Sequence, residues 1–312
     1  MVTVTTLSEL VEVVMLAKKE EKKIYILGGG TNTYFGEDLD NLLVIKIYIK
    51  GISFEENKDD VFVTAYAGEE WDDLVRFSVD KGLWGLENLS LIPGTVGSSP
   101  IQNIGAYGVE LKDVFVSLSA LDMTTLNVVE ISKEGCDFEY RDSLFKKEYG
   151  RYSILSVRIK LSKKSSPVLS YKPLDSLLTQ ENLTASIVRD LVIATRIAKL
   201  PDWKIYPNAG SFFKNPIVTT VEAEGLRASY PDMPQITHQK GFKIPAAWLI
   251  ERVADMKGVR IKDLGTWPNQ PLVVINYGSS SADDVDRFTE EIRSKILLET
   301  GIALEQEVNR IG

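Results

Sequence analysis

The stretch Lys23-Ile-Tyr-Ile-Leu-Gly-Gly-Gly-Thr-Asn32 indicates how the chain begins to fold. Its first half has the composition of a short buried strand, and the three glycines end that strand. Upstream, apolar residues recur on one face of a helix that starts at Leu7, and Thr6 and Glu9 match a capping box. Downstream, residues 42–49 are rich in β-branched side chains. This order predicts a β-α-β start whose helix begins almost at the N-terminus.

Composition excludes several functional classes. The chain has 312 residues, 44% hydrophobic and 26% charged, which is typical of a soluble protein of two or three domains. Its net charge of -8 argues against a general nucleic-acid binder. The single cysteine, Cys136, excludes a disulfide framework and any multi-cysteine metal site, so no metal is expected. Because no signal peptide or long apolar run is present, we expect a cytoplasmic protein that does not bind membranes.

The rest of the chain mixes helices and strands. The apolar periodicity predicts strands over residues 61–67, 154–161, 272–276 and 301–308, a hairpin over 114–130, and helices over 69–81, 184–199, 246–253 and 281–298. A long loop, residues 85–108, is too rich in Gly and Pro for either element, and loops of this length are often functional. The sequence therefore predicts an α+β protein.

Two glycine-rich loops are candidates for ligand binding. Gly28-Gly-Gly-Thr-Asn32 can present several backbone N–H groups to a phosphate, or it can be only a tight turn. It is not a dinucleotide fingerprint, because Thr33 stands where the third glycine is required. Residues 93–108 add hydroxyl and amide donors without positive charge, which suits a cofactor's pyrophosphate and ring edges, or they form a self-packed Ω-loop. Two such loops indicate a long, two-ended ligand.

Three further side chains are catalytic candidates. Ser211 follows the flexible Gly210, but the only histidine is His238, so a Ser-His-Asp hydrolase is poorly supported and the serine must act as something other than a nucleophile. Arg141 can bind a carboxylate or phosphate, or pair with a neighbouring acid. In the predicted strand 301–308, Glu305 and Glu307 lie on one face, as a proton-transfer pair or as an exposed acidic edge.

Together these segments closely resemble the UDP-N-acetylenolpyruvoylglucosamine reductase family. The resemblance covers nearly the whole chain and is carried by six ordered motifs: 26–32, 85–94, 100–108, 140–143, 208–216 and 304–308. It implies an FAD-binding fold of the p-cresol methylhydroxylase and vanillyl-alcohol oxidase type, plus a C-terminal α+β substrate domain. The implied domains are an FAD-binding subdomain of residues 1–50 with 308–312, a second of 51–200, and a substrate domain of 201–307.

The resemblance also implies cofactors and residue roles. Non-covalent FAD would be reduced by NADPH as co-substrate, and the flavin would then reduce a nucleotide-sugar enolpyruvyl ether. The implied catalytic residues are Ser211 as proton donor, with Arg141 and Glu307 stabilising the enolate-like charge. The implied FAD-binding residues are Gly28, Gly29, Gly30, Thr31, Asn32, Pro93, Gly94, Thr95, Gly97, Ser98, Gln102, Asn103, Gly105, Ala106 and Tyr107. The implied substrate-binding residues are Tyr171, Lys199, Asn215 and Gln270, and a monomer is expected.

The chain departs from the family pattern at two places. The usual N-terminal segment before the first helix is missing, which predicts a truncated start or weaker FAD binding. Thr266-Trp-Pro268 replaces a His-containing stretch near Gln270. Two alternatives stay open: an FAD-linked oxidase of an alcohol or sugar on the same fold, and a nucleotide-sugar-binding protein that has lost its flavin.

Overall fold

The computed structural model describes all 312 residues. Its α-helices are α1 (Leu7–Lys19), α2 (Trp71–Asp80), α3 (Leu111–Val114), α4 (Leu144–Lys147), α5 (Ala185–Lys199), α6 (Thr220–Ser229), α7 (Ala246–Arg252) and α8 (Ala282–Thr300). Its strands are β1 (Val2–Val4), β2 (Lys23–Leu27), β3 (Thr33–Phe35), β4 (Leu42–Ile47), β5 (Ile52–Glu56), β6 (Asp60–Tyr66), β7 (Gly105–Ala106), β8 (Val109–Glu110), β9 (Phe115–Asp122), β10 (Val128–Ser132), β11 (Tyr152–Ser162), β12 (Asn208–Ser211), β13 (Ile217–Val218), β14 (Ile236–His238), β15 (Gly241–Lys243), β16 (Arg260–Ile261), β17 (Leu264–Trp267), β18 (Gln270–Asn276) and β19 (Asn309–Ile311). None of the helices combines the length and apolar character needed to cross a bilayer.

The chain forms two compact units. Unit 1 contains residues 1–30 and 40–196, and unit 2 contains residues 31–39 and 197–312. The predicted division into three domains stays a prediction. The short strand β3 belongs to unit 2 because it pairs in parallel with β19 at the C-terminus.

A three-stranded parallel sheet of order β1-β4-β2 begins unit 1. The sequence analysis missed β1, since three residues are too few to display a period. The first helix begins at Leu7, as predicted. The predicted capping box is only half formed. The Thr6 hydroxyl accepts from the Glu9 N–H at 3.2 Å, but the Glu9 carboxylate accepts from Thr5 instead.

A five-stranded antiparallel sheet of order β10-β9-β11-β6-β5 forms the rest of unit 1. The main core includes the buried faces of α2 and α5, with Trp71, Leu74 and Val188 almost fully buried. A smaller core joins α1 and the parallel sheet to the ends of β9 and β11. The predicted strands and helices of this region are all present, because each buries one face at its own period.

Unit 2 contains a four-stranded antiparallel sheet of order β12-β18-β17-β16 and a three-stranded sheet of order β13-β15-β14. Helices α7 and α8 supply much of its core. The predicted strand over 301–308 is wrong: this segment has only an isolated bridge between Gln306 and Phe213, and the strand β19 follows it. Its alternation arises because Ile302 and Leu304 are buried while Glu305 is exposed, and an extended chain alternates whether or not it pairs.

One buried carboxyl lies in the long loop of unit 1. Glu87 is 2% exposed, and its Oε2 accepts a hydrogen bond of 2.7 Å from the N–H of Gly85. Burial raises the pKa of Glu87, although backbone N–H groups oppose that shift. Since protonation is favoured in the fold, the stability that this carboxyl contributes is present below its unfolded pKa, about 4.3, and is lost as the pH rises through its folded pKa.

Glu87→Gln keeps an acceptor for Gly85 and removes the buried charge. We expect the variant to be more stable than the parent at pH 7.5, with the difference shrinking toward pH 4. Urea unfolding at both pH values measures this. The exposed Glu12→Gln on α1 is the control and should show no such pH-dependent difference. A Glu87→Gln protein that is less stable than the parent at pH 7.5 would contradict the assignment.

Candidate functional site

The two glycine-rich loops touch each other in unit 1. A Cβ added at Gly28 would lie 2.9 Å from Thr95 Oγ1 and 3.0 Å from Ser98 Cβ, so only glycine lets the loop after β2 approach so closely. The next two glycines, Gly29 and Gly30, are exposed. Gly30 has φ = 70° and would meet only the Leu27 side chain, at 3.7 Å, so its surroundings are open. The two donor-rich loops, which the sequence analysis treated as separate, are therefore in direct contact.

The second loop is fixed by the backbone at the end of β6. Gly97 donates to the carbonyl of Ala67 at 2.9 Å, Val96 donates to Glu69 at 2.8 Å, and Trp71 donates to Gly94 at 3.0 Å. A Cβ at Gly97 would lie 2.5 Å from the Cβ of Ala67, which explains the glycine there. The loop is thus seated on the start of α2.

Several predicted cofactor residues use their side chains within the loop. The Ser98 hydroxyl donates to the Thr95 carbonyl at 2.7 Å and accepts from the Thr95 N–H at 3.1 Å. Asn103 is fully buried, and its amide donates to Glu110 and to the Glu139 carbonyl while its oxygen accepts from the Lys112 N–H. These side chains order the loop, and their direct contact with FAD stays a prediction, as it does for Pro93, Gly94 and Gln102.

The last part of the loop is a tight hairpin of β7 and β8. Tyr107 and Gly108 form its two-residue turn with φ = 48° and 84°, the pattern of a type I′ turn. Arg141 lies beside it, because its Nη2 donates to the Gly105 carbonyl at 2.9 Å. A Cβ at Gly105 would come within 3.2 Å of Arg141 Nη1. The hairpin therefore positions the predicted catalytic arginine.

Tyr171, predicted to bind the substrate, contacts the same hairpin. The ring of Tyr171 packs edge-on against Tyr107 with centroids 5.9 Å apart, and Tyr171 is 49% exposed. Buried Asn88 donates to the carbonyls of Tyr107 and Val168 at 2.9 and 2.8 Å. Asn88 was missed as a site residue, because an asparagine in an irregular loop gives no periodic signal.

A second arginine in unit 1 was also missed. Arg196, on α5, makes no hydrogen bond or ion pair in the chain, and its Nε is buried. Burial and the charge of nearby Arg141 lower the pKa of Arg196, while Tyr107 and Asp72 oppose that shift. Two cationic side chains close together, one of them without an acceptor, form a site suited to an anion. Apolar periodicity does not predict this site, because Arg196 is a charged residue on the same face of α5 as the buried Val188 and Val192.

Unit 2 holds Ser211 at an irregular point of its sheet. Asn208 pairs with Ile275 and Ser211 with Val273, so β12 has one extra residue, a β-bulge, and Gly210 has φ = 81° there. The Ser211 hydroxyl is partly exposed and makes no hydrogen bond in the chain. It is therefore available as a donor to a ligand.

Glu307 lies next to this strand. Its N–H donates to the Phe212 carbonyl at 2.8 Å, and its own carbonyl accepts from Asn32 Nδ2 at 3.2 Å. The two glutamates of the C-terminal motif differ: Glu307 is 9% exposed, whereas the Glu305 side chain is 69% exposed and pairs with Lys214. Unit 2 thus brings Ser211, Glu307 and the end of the first glycine loop together.

The predicted substrate residues Lys199, Asn215 and Gln270 also fall in unit 2. The turn between β17 and β18 reaches the end of α5, where Asn269 donates to the Ala198 carbonyl at 3.2 Å, so Gln270 lies near Lys199 in the fold. Gln270 Oε1 is buried without a partner. The Asn215 oxygen is used by the Ala246 N–H at 2.8 Å, so its amide group remains for a ligand.

The glycine loops of unit 1 fit the phosphate-bearing cofactor that the sequence predicts. The region around Gly28–Gly30, Thr95 and Ser98, here called the FAD seat, has the features that such a group needs: backbone exposed at residues 29–30, open surroundings at Gly30, and hydroxyls fixed by loop hydrogen bonds. No group of three His, Cys, Asp or Glu side chains is arranged to hold a metal ion.

Comparison with known proteins agrees with this geometry. Residues 1–131 match a model described as FAD binding domain, and residues 201–311 match one described as UDP-N-acetylenolpyruvoylglucosamine reductase, C-terminal domain. The UDP-N-acetylenolpyruvoylglucosamine reductase of Pseudomonas aeruginosa is 42% identical over 303 residues, 96% of this chain and 89% of that protein. The corresponding protein of Flavobacterium johnsoniae is 40% identical over 310 residues, 97% of this chain and 91% of that protein.

A solved structure shows the same fold. The UDP-N-acetylenolpyruvylglucosamine reductase of Thermus caldophilus matches with a TM-score of 0.66 at 22% identity, covering 99% of this chain and 91% of that one. The predicted fold class is confirmed: an FAD-binding domain is followed by the C-terminal domain characteristic of this family.

Gly28→Ala should weaken FAD binding, because its methyl group would collide with Thr95 and Ser98 and separate the two loops. We expect the FAD dissociation constant to rise about tenfold or more, as for the loss of one or two hydrogen bonds to a charged ligand. Flavin fluorescence titration of the flavin-free protein measures it. Gly225→Ala on α6 is the control, since its Cβ would meet nothing within 4 Å. Unchanged FAD affinity in Gly28→Ala would show that the loop contact does not form the seat.

Proposed function

Because the chain belongs to the UDP-N-acetylenolpyruvoylglucosamine reductase family, we propose that it reduces UDP-N-acetylglucosamine enolpyruvate to UDP-N-acetylmuramate with FAD and NADPH. It is accordingly an oxidoreductase and a flavoprotein of peptidoglycan synthesis. The observation that carries the proposal is the match over 96% of the chain at 42% identity, together with two glycine loops in contact at Gly28.

Bound FAD would supply hydride chemistry, taking two electrons from NADPH and giving them to the terminal methylene carbon of the enolpyruvyl group. The residues of the chain then have to stabilise and protonate the negative charge that develops on the carbon next to the substrate carboxylate. We assign Arg141 to that carboxylate, since a guanidinium binds carboxylates bidentately, and the Gly105 carbonyl holds its Nη2.

Ser211 and Glu307 complete the proposed catalytic trio. A serine hydroxyl is a weak acid, but an enolate-like carbon is a strong base, so a donor held within reach is sufficient. The Ser211 hydroxyl is not used inside the chain, which supports this role. Glu307 is nearly buried beside the same strand, where a carboxyl can stabilise the enol form by hydrogen bonding.

We assign the nucleotide-sugar to Tyr171, Lys199, Asn215 and Gln270, as the resemblance implies, and add Arg196. An arginine without an acceptor beside another cation is costly unless an anion binds there, and the substrate diphosphate is such an anion. The implied FAD-binding residues of the two glycine-rich loops, within residues 28–32 and 93–107, are assigned to FAD. We further propose that the protein is a monomer in the cytoplasm. Through peptidoglycan synthesis it would contribute to cell shape and cell division.

The oxidase alternative has less support. The related proteins are reductases, and Cys136, one of the two residue types that often tether flavin in such oxidases, is fully buried in the core of unit 1. Burial raises the pKa of the Cys136 thiol to about 12, which makes it unreactive.

Ser211→Ala should separate the two half-reactions. Reduction of bound FAD by NADPH should stay within about twofold of the parent, while reoxidation by the enolpyruvyl substrate should slow about 10²- to 10⁴-fold, the usual contribution of a general acid. Stopped-flow absorbance of the flavin follows both steps. Ser294→Ala, exposed on α8, is the control. Equal slowing of both half-reactions would argue against proton donation by Ser211.

Arg196→Met should raise the KM for the nucleotide-sugar about ten- to hundredfold, since it removes a charge-assisted hydrogen bond to phosphate. Arg196→Lys should lie between the two, and the FAD dissociation constant should change little. Arg158→Met, an exposed arginine of β11, serves as the control in steady-state assays. A KM that is unaffected by Arg196→Met would remove this residue from the substrate site.

A further inference from the structure

An ion pair in unit 1 joins helix α2 to helix α5. Arg189 donates from Nη1 and Nη2 to the two carboxylate oxygens of Asp72 at 2.7 and 2.8 Å, in the parallel two-bond geometry typical of strong pairs. The arginine side chain is 10% exposed and that of Asp72 31%. The pair connects α2, which carries Asp72, with α5, which carries Arg189.

The same carboxylate also holds the start of the second glycine loop. Asp72 Oδ1 accepts from the backbone N–H of Leu91 at 2.5 Å. Leu91 has φ = 58°, a left-handed conformation that a leucine adopts only when its surroundings impose it. Three residues later the chain enters Gly94, followed by Thr95, whose Oγ1 would lie 2.9 Å from a Cβ at Gly28. One carboxylate therefore fixes the backbone just before the FAD seat.

Arg189 lies on the same face of α5 as Arg196. Arg196 follows it by seven residues, which is two helical turns, so both side chains lie on one face. Burial alone raises the pKa of Asp72, but Arg189 and the Leu91 N–H together hold it below its ordinary value, so the carboxylate is charged at neutral pH. A charged, partly buried pair with two parallel hydrogen bonds is well suited to fix one geometry.

We propose that Asp72 and Arg189 are a positioning pair, which holds the loop at Leu91 in the shape that receives FAD and orients the helix that carries Arg196. The inference rests on the proposed function only for the identity of the ligand. The hydrogen bonds that order the loop belong to the chain alone and can be tested without any ligand.

The main variant combines Asp72→Ala with Arg189→Met, so that neither charge is left buried alone. The first readout is amide hydrogen exchange in the flavin-free full chain. We expect the Leu91 amide to exchange at least about tenfold faster, because its acceptor is gone. The Val157 amide, in the central strand β11, is the internal reference and should keep its rate.

The second readout is FAD affinity, measured by fluorescence titration. The double variant should bind FAD about tenfold more weakly than the parent. Asp72→Asn retains an acceptor for Leu91 and should give values between the parent and the double variant in both experiments. The matched control is Glu55→Ala with Arg158→Met, another two-bond arginine–carboxylate pair in unit 1, exposed and away from the loop.

The outcomes separate this inference from the proposed function. Equal acceleration at Leu91 and Val157 would assign the pair a general stabilising role and overturn the proposal. So would unchanged exchange at Leu91, or the same loss of FAD affinity in the control variant. If the parent chain bound no FAD, the proposed function would fail, while faster exchange confined to Leu91 would still support the positioning of the loop.

Discussion

The close packing of the second glycine loop on the end of β6 is the constraint on which the site in unit 1 depends. Gly97 approaches Ala67 so nearly that a Cβ would stand 2.5 Å from the alanine Cβ, and three backbone hydrogen bonds hold this approach. Once the loop is seated there, Thr95 and Ser98 meet the first loop at Gly28, again where a side chain would collide. Glycine is needed at both positions for close approach, since no positive φ is involved at either.

The chain as a whole is negatively charged, whereas the candidate site in unit 1 contains two positively charged side chains. The net charge is -8, yet Arg141 and Arg196 are near enough in unit 1 for the charge of Arg141 to lower the pKa of Arg196. Surface acids are exposed and paired or solvated, so they contribute little inside the site. An overall negative charge therefore argues against a polyanion such as nucleic acid without arguing against a small nucleotide, because only the local field acts on a ligand of that size.

Sequence patterns predicted the regular elements well, since burial imposes its period on the residues. The strand Lys23–Leu27 and the hairpin of β9 and β10 follow from alternation, and α2 and α5 follow from their apolar faces. The same rule misled at residues 301–308, where an extended segment alternates between core and solvent without pairing as a strand. It did not predict β1, nor the hydrogen bond between the Leu91 N–H and Asp72, which joins residues nineteen apart in sequence.

Motif resemblance predicted the site residues, but only coordinates distinguish residues that order the site from residues that remain available to a ligand. Asn103 uses its whole amide in hydrogen bonds with Glu110, Glu139 and Lys112, whereas the Ser211 hydroxyl makes no hydrogen bond in the chain. A side chain whose donors are satisfied cannot also bind a ligand without breaking those bonds, and a buried polar group left unsatisfied is costly. Ser211 carries a hydroxyl whose bonding the fold leaves incomplete, whereas Asn103 and Asp72 are residues whose bonding it completes.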